Sequence, residues 1–197
     1  MQFGAPFGGL VPGARGAVLA ALLRTGVALT GRQLHGLVRD DFSLWSVQRA
    51  LIELAELGIV DVRQVGRANV YQVNEDHYAI RPLRMLVDPL AALRGVVAEL
   101  VGATASAAIL FGSVARGEAD ADSDIDLAVL AADGWDGRSA LEGAVRARLG
   151  NDCDVLVFTP DEFIRLAASG EEPVVAAILA DGVALVGSIP QHALGVA

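Results

Sequence analysis

The segment from Gly112 to Leu130, GSVARGEADADSDIDLAVL, limits what this chain can fold into more than any other stretch. Five acidic residues fall between Glu118 and Asp126, and the chain then turns apolar. An apolar run that follows such a stretch reads as a buried strand, expected over residues 124–132. Side chains alternate faces along a strand, so Asp124 and Asp126 point one way while Ile125 and Leu127 enter the core. Carboxylates gathered at the mouth of a buried strand repel one another, and a hard cation offsets that repulsion. Mg²⁺ or Mn²⁺ suits carboxylate oxygens, and Mg²⁺ is commonly shared with substrate phosphates. A third carboxylate from a neighbouring strand would complete a site for two ions. Asp154 opens the apolar run DVLVF and is the candidate; Asp152 lies two residues earlier on the same face and is the alternative.

Upstream, Gly112 and Ser113 stand where a strand ending in Phe111 turns toward a helix. A glycine lets a phosphate approach the backbone, and a helix start favours anions. Arg116 either assists with phosphates or forms a surface pair. Glu118, Asp120 and Asp122 read as solvated loop charges. A phosphate cradle, a carboxylate pair and a third acid suit nucleotidyl or phosphoryl transfer with two metals. Around these residues helices are expected at 89–102, 137–150, 160–169 and 171–182. Strands are expected at 105–111, 153–159 and 183–187, which makes an α/β (α+β) unit with a small, mostly buried sheet.

The Gly-Ser pair, Ala-Arg-Gly and Ser-Asp-Ile-Asp-Leu resemble the signature of the polymerase-beta-type nucleotidyltransferase superfamily, in particular its minimal nucleotidyltransferases. The resemblance spans about residues 90–187. It implies that Gly112 and Ser113, with Arg116 and Ser123, bind the nucleoside triphosphate. It implies that Asp124 and Asp126 ligate the metals, and that Asp154 can both ligate metal and activate the attacking hydroxyl. The implied reaction moves a nucleoside monophosphate, AMP from ATP, onto a hydroxyl and releases pyrophosphate. Family members modify a partner toxin protein, tRNA ends or small molecules such as aminoglycosides.

Residues 14–76 hold three helix-like segments and then two strand-like ones, IVDVRQV and NVYQVN, around the turn GRA. In the third helix, starting at Ser43, the residues Val47, Ala50, Leu51, Leu54 and Leu57 recur at three- and four-residue spacing and predict one buried face. This stretch resembles a winged helix-turn-helix, a mainly α domain, in which the third helix enters the DNA major groove and the wing meets the backbone. The implied DNA contacts are Ser43, Ser46, Gln48 and Arg49 on the helix, and Arg63, Arg67 and Asn69 on the wing. Trp45 sits near the same side and serves either DNA contact or packing. A single winged helix binds weakly, so a homodimer is expected.

Charge sharpens the division. Residues 1–88 carry nine Arg and eight acids, whereas residues 89–197 carry six Arg and sixteen acids. The first part is therefore the one suited to DNA, although a net charge of +1 is small for phosphate binding, and winged helices also serve as dimerisation and protein-binding modules. The expected layout is a flexible 1–13, a winged helix-turn-helix at 14–80, a linker or short helix at 81–90, a nucleotidyltransferase domain at 91–190 and a tail at 191–197. A lone Cys153 excludes an intrachain disulfide, and His35, His77 and His192 show no metal-ligand spacing. No apolar run reaches the ~18 residues of a membrane span. With no signal-peptide pattern at the start, a cytoplasmic protein without membrane contact is expected. The combination reads as a nucleotidyltransferase with a DNA-binding-like unit, in the setting of a toxin–antitoxin regulator. The alternative is a winged-helix transcriptional regulator whose second unit only senses nucleotide.

Overall fold

In the computed structural model residues 1–120 and 123–190 are described, and the chain divides into two units, Ala5–Pro89 and Met1–Gly4 with Leu90 onward. In the first unit α1 (Gly13–Thr25) is apolar on most sides and is buried accordingly, through Val18, Leu19, Ala20, Leu22 and Leu23. It stops where Gly26 takes φ 64° and donates its N–H to Leu22 O. A short strand β1 (Leu29–Thr30) leads into α2 (Gly31–Val38), which opens with a capping box between Thr30 and Gln33. α3 (Leu44–Glu56) opens at Ser43, whose hydroxyl accepts from the Ser46 N–H. Losing such a cap costs about 1 kcal/mol.

Val47, Ala50, Leu51 and Leu54 of α3 are buried as their spacing predicts, but Leu57 is 55% exposed. Leu57 is the C-cap, where the chain leaves the helix and its buried stripe. β2 (Val60–Val65) and β3 (Ala68–Val73) form an antiparallel hairpin with Val65 opposite Ala68. Ala68, expected in the turn, therefore begins β3, and Gly66 and Arg67 alone close the hairpin. β1 joins the outer side of β3, giving the order β1-β3-β2.

Two stretches outside α1–β3 also contribute to this unit. In the stretch 81–90, expected as a linker or short helix, α4 (Ile80–Leu86) occupies most of the positions, and Ile80 and Val87 are buried in the core made by α1, α2 and α3. The stretch 1–13, expected to be flexible, also supplies a buried side chain. Phe7 is 1% exposed in that same core, and burying a Phe is worth about 1.5–3 kcal/mol. Met1–Gly4 belong to the second unit.

The second unit runs α5 (Pro89–Val101), β4 (Ala105–Phe111), α6 (Gly112–Arg116), β5 (Ile125–Ala131), α7 (Arg138–Leu149), β6 (Cys153–Phe158), α8 (Pro160–Ser169), α9 (Pro173–Asp181) and β7 (Val183–Val186). Its sheet has the order β6-β5-β4-β7. β4 is antiparallel to both β5 and β7, while β5 and β6 are parallel and joined through α7, as a parallel pair requires. The sheet is covered on both faces. Leu127 and Val129 pack with Leu93, Val97, Leu141 and Val145 on one side. Ala128 and Leu130 pack with Ile109, Phe163 and Ile178 on the other. This is why β5 reads as an unbroken apolar run rather than an alternating one. No helix among the described residues is long and apolar enough to cross a membrane.

Candidate active site

The site is built where β4 turns into α6 and where the parallel strands β5 and β6 begin. Asp126 is the second residue of β5 and lies in register with Asp154, the second residue of β6. Neighbouring strands stand ~4.8 Å apart, so these two carboxylates share one face and one level of the sheet. Asp124 comes just before β5, two residues from Asp126 and on the same side by alternation. Beyond this level the same face closes over with Ala128, Leu130, Leu156 and Phe158, so the acids stand at the open end of a buried layer.

On the other side of Asp126, Phe111 is its partner in β4. The next residue, Gly112, takes φ 72°, and a Cβ there would lie 2.1 Å from Asp126 Oδ2. Glycine is therefore required at this turn for two reasons: its backbone conformation, and the carboxylate that fills the space a side chain would need. α6 is a single short turn of helix that ends at Gly117 in the left-handed conformation.

The acids feel one another. The Asp126 carboxyl is pushed above the usual range by burial first, then by Asp154 and Asp124, while Arg116 pulls the other way. The buried Cys153 thiol is pushed up to about 12, by burial and then by Glu142, Asp154, Asp126 and Asp124. It stays a thiol and packs in the core, so it is neither a nucleophile nor a metal ligand at neutral pH. Asp152, the alternative third acid, is ion-paired with Arg146, and its backbone oxygen accepts from the Ile125 N–H at 2.9 Å. Asp154 is exposed. Behind it, Glu142 accepts from Arg138 Nε at 2.8 Å and from the Val155 N–H at 3.3 Å.

Other expected nucleotide-binding residues are more constrained than the sequence suggests. Arg116 Nε donates to Glu118 at 2.7 Å, so Glu118 is a partner rather than a free loop charge. The Ser123 hydroxyl donates to Asp120 Oδ1 at 2.8 Å and accepts from the Asp120 N–H at 3.0 Å, which closes the loop before Asp124. Ser113 lies in the first turn of α6, partly buried beside Gly112. Asp122 and His192 lie outside the described residues. Among the described residues no three acidic, histidine or cysteine side chains are already gathered closely enough to hold an ion. The donor set nevertheless fits a divalent cation: hard oxygens, two in register on adjacent strands, with mutual repulsion that a cation would relieve.

In the first unit Ser43 and Ser46 are joined at 3.0 Å through their hydroxyls at the α3 cap. Gln48 and Arg49 are exposed on the same helix. Arg49 Nε donates to Glu53 at 3.1 Å, a carboxylate that also pairs with Arg15. Its guanidinium lies 5.7 Å from the ring centre of Trp45, which is 67% exposed rather than packed away. Arg63, Arg67 and Asn69 are exposed on the hairpin. His77 Nδ1 accepts from the Ala79 N–H at 3.3 Å, a structural contact.

Residues 103–187 match the family described as Polymerase beta, Nucleotidyltransferase. The match runs from β4 to β7 and holds the Gly112 turn and all three acids, while covering less than half of the chain. No curated protein matches the sequence. Among solved structures, the chain is similar to the crystal structure of a toxin–antitoxin with AMP-PNP, at 25% identity and a TM-score of 0.38, over 51% of this chain and 77% of that one. It is similar to the toxin–antitoxin MntA-HepT at 23% identity and a TM-score of 0.33, over 49% of this chain and 72% of that one. It is also similar to a structure of the DNA recognition and protein interaction domains of HOP2, at 22% identity and a TM-score of 0.31, over 32% of this chain and all of that one. Likeness at these TM-scores carries no argument about what this chain does.

Asn151 and Glu142 both touch the frame of residues 103–187 and were not singled out in the sequence. The partners of Asn151 are remote along the chain, and Glu142, although at i,i+4 spacing from Arg138, also takes the Val155 N–H from a strand that only folding brings alongside.

Proposed function

We propose that residues 91–190 transfer a nucleoside monophosphate, AMP from ATP, to a hydroxyl acceptor and release pyrophosphate, in a reaction that requires Mg²⁺ or Mn²⁺. The observation that carries this reading is the register of Asp126 with Asp154, with Asp124 beside them and the Gly112 turn packed onto Asp126. Asp124, Asp126 and Asp154 would hold the metal, which when bound neutralises phosphate charge and stabilises the attacking and leaving oxygens. Gly112 and Ser113 offer the backbone of the α6 turn to the triphosphate. Asp154, exposed and farthest from that turn across the sheet, takes the proton of the attacking hydroxyl. Arg116 leaves Glu118 for the phosphates.

The first unit supports a winged helix-turn-helix reading through its order α1-β1-α2-α3-β2-β3 and its hairpin. In that reading α3 presents Ser43, Ser46, Gln48 and Arg49 to DNA, with Arg63, Arg67 and Asn69 on the wing, in a homodimer. A toxin–antitoxin setting, with a toxin protein or tRNA as acceptor, is what the family resemblance at Gly112–Leu127, joined to a DNA-binding-like unit, suggests.

Incubation with α-labelled ATP, CTP, GTP and UTP in Mg²⁺, with total RNA and protein extract as acceptors, tests the transferase reading. Label from ATP is expected in an acceptor, and EDTA should abolish it. Absence of transfer from all four nucleotides, in Mg²⁺ and in Mn²⁺, refutes it.

A further inference from the structure

Asn151 lies between α7 and β6, is 5% exposed, and is the one buried polar side chain among the described residues. Its Nδ2 donates to Met1 O at 3.0 Å and to Ser123 O at 3.4 Å. Its Oδ1 accepts from Met1 N at 2.7 Å, and Met1 N also donates to Leu149 O at 3.2 Å. One residue on, Asp152 O accepts from the Ile125 N–H at 2.9 Å. Asp124 is thus bracketed. The carbonyl before it is held by the Asn151 side chain, and the amide after it by the Asp152 backbone. Met1–Gly4 lie against this bracket: Met1 and Phe3 pack on the core of the unit, and the Cβ position of Gly4 is 3.4 Å from Ala119 O in the loop that leads to Asp124.

We propose that Asn151 is a positioning residue for the metal site: with Met1–Gly4 as a brace, its side chain fixes the Ser123 carbonyl on one side of Asp124, and the Asp152 backbone beside it fixes the Ile125 amide on the other, so that the Asp124 carboxylate is held on the same face as Asp126. The proposal rests on the metal-dependent transfer reading above. A carboxamide suits the task because it both donates and accepts, whereas an aspartate could not donate to two carbonyls and a leucine could do neither. Asn151 is far too deep in the chain connection to touch nucleotide. Its effect runs only through the placement of Asp124. Groups that orient a metal ligand in this way commonly govern 10–100-fold of metal affinity or activity.

The test uses the full chain with Asn151→Leu, Asn151→Asp and Phe3→Ala. Amide hydrogen exchange is read residue by residue, and Mg²⁺ is titrated by calorimetry in the presence of a non-hydrolysable ATP analogue. In Asn151→Leu the Ile125 amide is expected to exchange at least about tenfold faster, with Val129 in the same strand unchanged. The Mg²⁺ dissociation constant should rise about 10–100-fold. Phe3→Ala should move both readouts the same way by less. If Asn151→Leu does not fold, Asn151→Asp, of the same size and without the donor, is read on the same two scales. An unchanged Ile125 exchange rate overturns the proposal, as does faster exchange with an unchanged Mg²⁺ constant. A wild type that binds Mg²⁺ with the analogue but transfers no label refutes the transferase reading and leaves the brace standing. A wild type that binds no Mg²⁺ refutes both.

Discussion

Replacing Asp126 by Asn is expected to stabilise the metal-free protein above the carboxylate range of pH and to abolish its response to Mg²⁺. The Asp126 carboxyl is raised by burial, then by Asp154 and Asp124. A carboxyl that binds its proton more tightly folded than unfolded opposes folding as pH rises from the ordinary carboxylate pKa to the raised one. The cost is absent below that window and complete above it. Two charges ~4.8 Å apart interact by ~0.9 kcal/mol in bulk water and ~3.5 kcal/mol at an effective dielectric of ~20. Asp154 is exposed and Asp126 only partly buried, so solvent screening places the repulsion near the lower figure, at about 1 kcal/mol. That corresponds to a rise in Tm of about 4 °C. The assay is thermal unfolding of wild type and Asp126→Asn in EDTA at about pH 8 and about pH 3.5, then at the higher pH with Mg²⁺. The variant should be the more stable at the higher pH in EDTA, the two should converge at the lower, and only the wild type should gain from Mg²⁺. A variant less stable than wild type in EDTA at the higher pH refutes the repulsion argument. Equal gains from Mg²⁺ refute the metal assignment.

Gly112→Ala puts a Cβ 2.1 Å from Asp126 Oδ2 at φ 72°, so it should cost at least about 1–2 kcal/mol in chemical denaturation from the backbone alone. It should also lower transfer about a hundredfold, the scale on which a displaced reacting group acts. Asp154→Asn should abolish label transfer, whereas Asp152→Asn should keep it and lose no more than about 1 kcal/mol with its surface ion pair; equal losses would deny Asp154 its role. In gel shifts with DNA upstream of the protein's own gene, Arg49→Ala should cost about 1–3 kcal/mol and relax sequence preference, and Arg67→Ala should weaken all sequences alike. A wild type with no sequence preference at low salt would make the first unit a protein-binding module.

The acid pair was legible because strand alternation is local: Asp124 and Asp126 share a face wherever β5 goes. Alternation alone does not choose between Asp152 and Asp154, since both have the same parity; the register of β6 against β5 sets Asp154 opposite Asp126, and Asp152 is ion-paired with Arg146. The role of Gly112 was half legible. Its turn followed from composition, but the Asp126 oxygen that occupies the space of its absent side chain comes from a strand that only folding brings alongside. Phe7 was missed because a Gly/Pro-rich segment has no periodicity in which an anchoring aromatic can stand out. Asn151 was missed because its partners lie 28 and 150 residues away, and a single polar side chain leaves no pattern. In α3 the polar positions were foreseen, but not that Glu53 would already hold Arg49.

β6 carries Asp154 and is also the outermost strand of its sheet. A strand there leaves half of its backbone groups facing outward, ready to pair with any extended chain that arrives. In this unit the outward Val155 N–H is taken by Glu142, and the neighbouring position bears the charge of Asp154. An edge open in this way would let a second sheet grow onto this one. The Asp154 charge and the Glu142 contact together blunt that edge, and a variant that neutralises both is expected to self-associate more readily than wild type.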